Sequence, residues 1–377
     1  MTCLRAKFPI AQFTFGGVAG SPRVAVSLAL AFQRDGHRSF VLFWRASDKG
    51  APFLSEALDA AGVPWGDSRK TWLLPSLFSA AKLLAAEKPE LVFIHGARNI
   101  LIVPFLKVML PGAKICVVHH GPVGEIGANR VLRLLTAWSW LLVKAEICVG
   151  SELCEAIKAL RSKTSQVPVI IPNGVDVESF NNVSSILLRR GADAIPVLCM
   201  AAVFSAQKDQ ITLVKAASIL LSCGRRLKLR LPGDGPLLGS AREFASLLGI
   251  EADVEFPGAL DSEAVKELLS GADIYVQSTH SEGMSISMLE AMSSGLPLVC
   301  SDCKGMDEFV KAGAALKRFT PGVPEELAAR IAEFLDSPDS AREAGAINRR
   351  VAEKTFSLSA MAAAYENLAA GLLNKSQ

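Results

Sequence analysis

The sequence predicts an α/β protein made of two Rossmann-like, doubly wound domains, each with a parallel sheet covered by helices on both faces. Its 377 residues exceed one ordinary domain and suit two of about 150 to 200 residues. Half of the residues are hydrophobic, which is enough for two cores. Short apolar strands alternate with helical stretches, as in parallel sheets that bind ligands at the carboxyl ends of their strands.

Charge and cysteine usage narrow the class of protein. Forty basic against thirty-seven acidic residues give a formal charge of +3, which is no nucleic-acid signature but permits contact with an anionic membrane surface. The eight cysteines are scattered among apolar runs, so we expect buried thiols in a reducing compartment. The N-terminus lacks a signal-peptide core and no apolar run reaches about 18 residues, which predicts a cytoplasmic protein that does not span a membrane.

In the first half, the segment 10–15 is predicted as a strand that leads through Gly16 and Gly17 into a helix ending at Gly36. A strand, glycine loop and helix lets backbone approach a ligand closely, although no GxGxxG supports a dinucleotide site. The alternative is a turn selected only for its dihedral angles. Further strands are predicted at 39–44, 91–94, 115–118 and 146–149, and helices at 53–61 and 72–86.

Three histidines follow predicted strands of this half. His95 comes after one strand, and His119 and His120 come after the next. A neutral imidazole at the carboxyl end of a strand can hydrogen-bond a ligand hydroxyl, whereas the alternative is a loop histidine bonded to backbone.

A helix is also predicted at 129–144, apolar nearly all round, with Trp138, Trp140 and basic residues at its ends. Burial in a core and attachment to a membrane interface both fit this composition.

The second half contains the stretch that carries the most information, residues 272–302. It reads as an apolar strand at 272–277, a polar loop ending in Glu282, a helix at about 285–293 and a strand at 298–300. A helical connection between Glu282 and Glu290 would separate them by about 12 Å, roughly the length of a diphosphate with a sugar at each end. N–H groups at the helix start, on Gly283, Met284 and Ser285, suit an anion. The alternative is an acidic loop and an amphipathic helix with Glu290 in solvent.

This stretch resembles the E-x7-E region of family 4 retaining nucleotide-sugar glycosyltransferases, which have the GT-B fold of two Rossmann-like domains facing across a cleft. The pattern EG…EAM..G.P.V is carried by Glu282, Gly283, Glu290, Ala291, Met292, Gly295, Pro297 and Val299.

The resemblance implies roles for single residues. Glu282 would contact the donor sugar, Glu290 the ribose, and Lys208 with the Gly283–Ser285 amides the diphosphate. His120 would face the reacting carbon, Gly16 and Gly17 would border the acceptor side of the cleft, and Leu260 would touch the nucleobase. No cofactor and no metal are expected, since the nucleotide sugar is a co-substrate and no DxD-like cluster is present.

The turn at 172–176, PNGVD, resembles the family's passage between domains. We therefore expect an acceptor-side domain at 1–172, a donor-binding domain at 173–357, and a last helix at 358–373 that returns to the first domain.

The resemblance implies a retaining glycosyltransferase that acts on a nucleotide diphosphate sugar and a glycan or lipid-linked acceptor, in lipopolysaccharide, polysaccharide or other envelope glycan synthesis. We expect it to be cytoplasmic, with a peripheral position at the inner face of the membrane as a further expectation. One residue departs from the pattern, because Val203 stands where the family usually has a second phosphate-binding arginine. The alternatives are a catalytically weakened nucleotide-sugar-binding protein and a GT-B UDP-sugar epimerase.

Overall fold

The structure, a computed structural model, describes residues 7–17, 20–45, 51–68, 72–121, 130, 133–134, 137, 141–160, 167–180 and 194–374. The chain forms two compact units, Met1–Gly174 with Leu358–Gln377, and Val175–Ser357. Each unit contains a parallel sheet with helices, of seven strands in the first and six in the second. The prediction of two doubly wound α/β domains is confirmed.

The sheet of the first unit has the strand order β3-β2-β1-β4-β5-β6-β7, and every described pair is parallel. Ser39–Trp44 is buried along its whole length, as expected of a strand covered on both faces. The strands are β1 Ile10–Phe15, β2 Ser39–Trp44, β3 Trp65–Ser68, β4 Leu91–His95, β5 Lys114–His119, β6 Ala145–Cys148 and β7 Val169–Ile170. The helices before the second unit are α1 Gly20–Arg34, α2 Ala51–Ala60, α3 Leu73–Ala86, α4 Val103–Met109 and α5 Ser151–Ala159.

The sheet of the second unit has the order β10-β9-β8-β11-β12-β13. Its strands are β8 Val197–Cys199, β9 Lys228–Pro232, β10 Val254–Gly258, β11 Ile274–Gln277, β12 Leu298–Ser301 and β13 Leu316–Phe319. Its helices are α6 Gln210–Ser222, α7 Leu238–Leu247, α8 Ser262–Ser270, α9 Ile286–Ser293, α10 Asp307–Lys311, α11 Pro324–Asp336 and α12 Pro338–Thr355. Because β9 and β11 lie on opposite sides of β8, the chain leaves β8 and β11 in opposite directions. Such a switch point opens a crevice at the carboxyl ends of the two strands.

The last helix, α13 (Leu358–Asn374), belongs to the first unit. Its Tyr365 ring meets Phe93 edge to face with centroids 5.1 Å apart. Glu366 Oε1 lies 3.4 Å from Nε2 of the buried His37. These contacts hold α13 against the first unit.

The predicted helix at 129–144 is described only in part. The backbone at Arg130, Arg133, Leu134 and Ala137 is helical, and residues 141–144 are not. Trp138 and Trp140 lie outside the described residues, so the two interpretations of this helix stay predictions.

A close helix contact in the second unit positions the end of α9. A Cβ atom on Gly345 of α12 would overlap the carbonyl oxygen of Gly295, which follows α9. Asn348, one turn further, donates from Nδ2 to the carbonyl of Leu296 at 3.1 Å. The absence of a side chain at Gly345 therefore lets α12 lie directly against the end of α9.

We predict that Gly345→Ala lowers the free energy of unfolding by about 1–3 kcal/mol, because the added methyl overpacks this contact. Gly371→Ala is the matched control. Gly371 also lies in a helix but has no atom within 4 Å of its Cβ position, so the change should be neutral or slightly stabilising. Urea denaturation of both variants measures the difference, and equal stabilities would contradict the close contact.

Candidate functional site

Lys208 and Glu282 form an ion pair at the switch point of the second sheet. Lys208 lies in the loop after β8 and Glu282 in the loop after β11, so the crevice between these strands brings them together. The Lys208 side chain is 20% exposed and that of Glu282 only 7%. Removing a charge from water is costly unless it is paired, and here each charge partners the other.

The backbone of Glu282 is fixed by the loop after β12. Its N–H donates to the carbonyl of Lys304 at 2.9 Å. A Cβ atom on Gly305 would come within 2.5 Å of the Glu282 carbonyl oxygen, and Gly305 has a φ of +96°. Gly305 is therefore suited to this position for two reasons: it adopts the left-handed backbone conformation, and it lets the loop lie against the Glu282 backbone.

The side chain of Glu282 is held from the strand before it. Nε2 of Gln277, at the end of β11, donates to Glu282 Oε1 at 2.8 Å. Lys208 Nζ donates to the same oxygen. Both donors act on Oε1, so the carboxylate has one defined orientation.

Helix α9 begins one residue later than predicted, at Ile286. Ser285 is its N-cap, with an extended backbone and a side-chain oxygen that accepts from the N–H of Met288 at 3.3 Å. The first-turn amides therefore belong to Ile286 and Ser287, not to Gly283 and Met284, which lie in the loop. Because residues 282–285 are not helical, the 12 Å spacing expected of a continuous helix does not apply.

Glu290 is 3% exposed on α9, so the alternative that places it in solvent is wrong. The fully buried Tyr275 of β11 lies close enough to interact with its charge. Burial raises the pKa of Tyr275 well above its usual value; a hydrogen bond from Ser287 lowers it in part, and the charge of Glu290 raises it further. The Tyr275 hydroxyl therefore keeps its proton.

A glycine turn supports the loop that carries Lys208. Phe204 donates its N–H to the carbonyl of Asp234 at 3.0 Å, and a Cβ atom on Gly235 would overlap the Phe204 backbone. Val203, the residue before Phe204, is 48% exposed. Its carbonyl accepts from Gln210 Nε2 at 3.1 Å. An arginine at this position would have room to extend into solvent.

Leu260 lies in the loop between β10 and α8. It follows β10, the strand at the edge of the sheet, and directly precedes Asp261, which caps α8 through a 2.8 Å bond to the N–H of Ala264. Its suggested contact with a nucleobase stays a prediction.

In the first unit, three neighbouring strands bring together a polar chain, in which Gln12 and His95 are buried and His120 is partly exposed. His95 Nε2 lies 2.7 Å from Gln12 Oε1, and His95 Nδ1 lies 2.9 Å from His120 Nε2. With the Gln12 carbonyl as acceptor, His95 carries its proton on Nε2 and accepts at Nδ1. His120 Nε2 is then the donor, so His120 is held in one tautomer. His119 lies apart from this chain, with Nε2 3.4 Å from the buried Glu146 carboxylate.

The glycines after β1 are held by backbone bonds. Gly16 donates to the carbonyl of Trp44 at 2.9 Å and Gly17 to that of Phe15 at 3.1 Å. A Cβ atom on Gly17 would meet only the Phe15 ring, at an ordinary 3.7 Å. The structure therefore gives no steric reason within the described residues for glycine at 17.

Burial keeps the two linked histidines neutral. Desolvation, and to a lesser extent His120, lower the pKa of His95 well below its usual value. Desolvation and the neighbouring His119 lower the pKa of His120 to about 3, although a hydrogen bond with Asn173 raises it in part.

Tyr275, Gln277, Gln12 and Asn173 were missed by the sequence analysis. A glutamine and a tyrosine two residues apart in an otherwise apolar strand point to the same face. This two-residue spacing was the signal in the sequence that could have identified Tyr275 and Gln277.

We predict that His120→Gln makes stability less sensitive to acid. Below pH 6.5 the unfolded chain binds a proton at this histidine that the folded chain takes up only near pH 3. The free energy of unfolding therefore falls as the pH drops through this window, by up to about 1.4 kcal/mol per pH unit. Urea denaturation from pH 4.5 to 7.5 should give a shallower slope for the variant, and an unchanged slope would contradict the buried neutral histidine.

Among the residues that the structure describes, no helix is long and apolar enough to cross a membrane. Over the same residues, no three His, Cys, Asp or Glu side chains are grouped so that they could hold a metal ion.

Comparison with known proteins gives two family matches. Residues 18–179 match the model of Glycosyltransferase Family 4, and residues 192–351 match that of Glycosyl transferases group 1. Among curated proteins, the chain is 34% identical over 221 residues to the putative glycosyltransferase EpsF of Bacillus subtilis, a match that spans 56% of each chain. It is 26% identical over 308 residues to the MMP alpha-(1->4)-mannosyltransferase of Mycolicibacterium hassiacum, which covers 77% of this chain and 73% of that enzyme.

Solved structures show the same fold. Anabaena HepE in complex with UDP and glucose superposes with a TM-score of 0.82 at 15% identity, covering 97% of this chain and all of that one. Sucrose-phosphate synthase from Thermosynechococcus elongatus gives a TM-score of 0.80 at 19% identity, with 98% of this chain and all of that one covered. The two family matches do not overlap and together account for most of the sequence. With two parallel-sheet units and these structural neighbours, the chain belongs to the family 4 glycosyltransferases and has the GT-B fold.

Proposed function

We propose that this protein is a retaining glycosyltransferase that moves a sugar from a nucleoside diphosphate sugar to a hydroxyl of a glycan or lipid-linked acceptor in envelope glycan synthesis. The observation that carries the proposal is the Lys208–Glu282 pair at the switch point of the second unit. Support for the acceptor class comes from a relative, the UDP-Gal:alpha-D-GlcNAc-diphosphoundecaprenol alpha-1,3-galactosyltransferase of Escherichia coli, 26% identical over 63% of this chain.

The leaving diphosphate gains negative charge as the glycosidic bond breaks. An ammonium group has three donors, so Lys208 can keep its bond to Glu282 and still donate to a phosphate oxygen. The positive end of α9 adds the amides of Ile286 and Ser287. Donors already in place stabilise such charge with little reorganisation.

Glu282 is assigned to the donor sugar. Its Oε1 is engaged by Lys208 and Gln277, so Oε2 is the oxygen assigned to a sugar hydroxyl. Glu290 is assigned to the ribose, and the neutral His120 to the transferred sugar. In the proposed mechanism the leaving phosphate takes the acceptor proton, so neither a metal nor another cofactor is required.

The first experiment measures nucleoside diphosphate release from UDP-, GDP- and ADP-sugars, with a membrane extract as acceptor. We predict release by the wild type with at least one donor and a loss of about 10²–10³-fold in kcat for Lys208→Met. Lys215→Met is the matched control, since Lys215 is an exposed lysine of α6 in the same unit. Equal activity of the two variants would contradict the role of Lys208.

Other outcomes separate the rival functions. Interconversion of two UDP-sugars without acceptor would identify an epimerase. Donor binding without turnover would identify a catalytically weakened nucleotide-sugar-binding protein. Val203 supports this alternative, because it replaces the arginine that would make a second contact with the diphosphate. In that case Val203→Arg should tighten donor binding.

A second prediction concerns the support behind Glu282. Gly305→Ala should reduce kcat at least tenfold, because the methyl displaces the Glu282 backbone. Gly313→Ala is the control: Gly313 has a similar φ of +82° but no atom within 4 Å of its Cβ position. Both variants carry a backbone strain of about 1–2 kcal/mol, because alanine disfavours the left-handed conformation. Only Gly305→Ala should also displace the Glu282 backbone. Equal kcat values for the two variants would show that no such displacement affects catalysis.

We also propose that the first unit binds an anionic membrane surface through the start of α3. Trp72, Leu74 and Phe78 are 79%, 65% and 52% exposed. The Trp44 ring donates from Nε1 to Ser76 of α3, and the Arg45 guanidinium lies 5.9 Å from that ring. Exposed aromatic and aliphatic side chains suit a bilayer interface, and a cation in the same unit suits anionic head groups.

Co-sedimentation with phosphatidylglycerol vesicles tests this surface. We predict that Leu74→Ser with Phe78→Ser reduces the bound fraction several-fold, whereas Leu247→Ser, at a position 79% exposed in the second unit, leaves it unchanged. Wild-type protein that stays in the supernatant would contradict the proposal.

A further inference from the structure

Gln277 is a fully buried polar residue at the end of a buried strand of the second sheet. A buried amide is costly unless its donors and acceptor are bonded. A leucine would fill such a strand position without that cost. The contacts of Gln277 therefore explain why an amide is tolerated there.

Both ends of this amide are engaged. Nε2 donates to Glu282 Oε1 at 2.8 Å. Oε1 accepts from the Tyr275 hydroxyl at 3.1 Å and has a longer contact of 3.4 Å with Ser285 Oγ. The amide thus joins the strand, the N-cap of α9 and the carboxylate of Glu282.

The orientation of the amide follows from its neighbours. The Tyr275 hydroxyl donates to the Gln277 oxygen at 3.1 Å, with the Ala201 carbonyl as a longer alternative at 3.5 Å. A flipped amide would place its oxygen against the Glu282 carboxylate, where two acceptors would meet. Nε2 must therefore face Glu282.

The hydrogen-bonded chain extends one step further along α9. Ser285 Oγ lies 3.1 Å from Ser287 Oγ. The chain therefore runs from Ser287 through Ser285 and Gln277 to Glu282.

We infer that Gln277 is a positioning residue for the sugar-binding carboxylate: it holds Glu282 by Oε1 and so presents Oε2 to the donor sugar. The inference rests on the proposed function. Within the described part of the chain, Gln277 hydrogen-bonds Tyr275, Glu282 and Ser285, and neither Lys208 nor the first-turn amides of α9. Its removal should therefore affect the sugar step and leave nucleotide binding intact.

Two variants test the inference. Gln277→Leu removes the hydrogen-bond donor. We expect kcat to fall about tenfold or more, while the Kd for the nucleoside diphosphate of the active donor (UDP, GDP or ADP) stays within about threefold of the wild-type value. Thermal denaturation and retained binding of that diphosphate show that the variant is folded.

Gln277→Glu gives a readout that a merely structural role would not move. A carboxyl group at 277 can donate to Glu282 only when it is protonated, and two adjacent carboxylates raise the pKa of one of them. The kcat of Gln277→Glu relative to wild type should therefore rise as the pH falls from 8 to 5. Gln277→Leu should stay low throughout. A Gln277→Leu variant with wild-type kcat, or a flat ratio for Gln277→Glu, would overturn the inference.

The experiment also separates this inference from the proposed function. If wild-type protein binds donors without turnover, transfer is refuted, and titration decides the role of Gln277. Wild type should then bind that nucleotide sugar, whether UDP-, GDP- or ADP-linked, more tightly than the matching nucleoside diphosphate, and Gln277→Leu should lose that preference. Equal binding of the sugar nucleotide and the diphosphate by wild type would overturn the inference as well.

Discussion

The ion pair between Lys208 and Glu282 is the interaction on which the candidate site depends. It joins the loops that follow two neighbouring strands, at the point where the winding of the sheet reverses. Each charge is largely removed from water, so neither could occupy its position without the other. The pair also combines two properties that a bound diphosphate sugar needs, a cation with spare donors and an oriented carboxylate.

Much of the second unit serves to fix these two loops. Gly305 brings the loop after β12 against the backbone of Glu282, and Gly235 brings the turn after β9 against Phe204. Gly345 lets α12 lie against the end of α9. In each case a missing side chain allows backbone to touch backbone, so the position of a charged group is set by the rigid main chain.

The first unit contains a polar chain that is stabilised without an ion pair. Its polar chain of Gln12, His95 and His120 contains no paired charge, and desolvation holds both rings neutral. A neutral histidine with a fixed tautomer is a directional hydrogen-bonding group. The candidate site of the second unit therefore depends on an ion pair, and the polar chain of the first unit on neutral rings.

The sequence predicted the elements that are apolar and buried, such as Ile10–Phe15 and Ser39–Trp44, because covered parallel strands need continuous apolar runs. It missed Trp65–Ser68, whose sequence WGDS has no such run. The expectation that the cysteines are buried was wrong for Cys223, which is exposed at the end of α6. The glutamate pair and Lys208 were found through local motifs. The contacts of Gly305 and Gln277 depend on which loops meet in space, which no periodicity along the chain reveals.

The most direct measurement is a crystal structure of the protein with the nucleoside diphosphate of its active donor, UDP, GDP or ADP, bound. We expect a diphosphate whose oxygens lie within hydrogen-bond distance of Lys208 Nζ and of the Ile286 or Ser287 amide, with the ribose at Glu290. A nucleotide bound elsewhere, or one that leaves Lys208 paired only with Glu282, would contradict it.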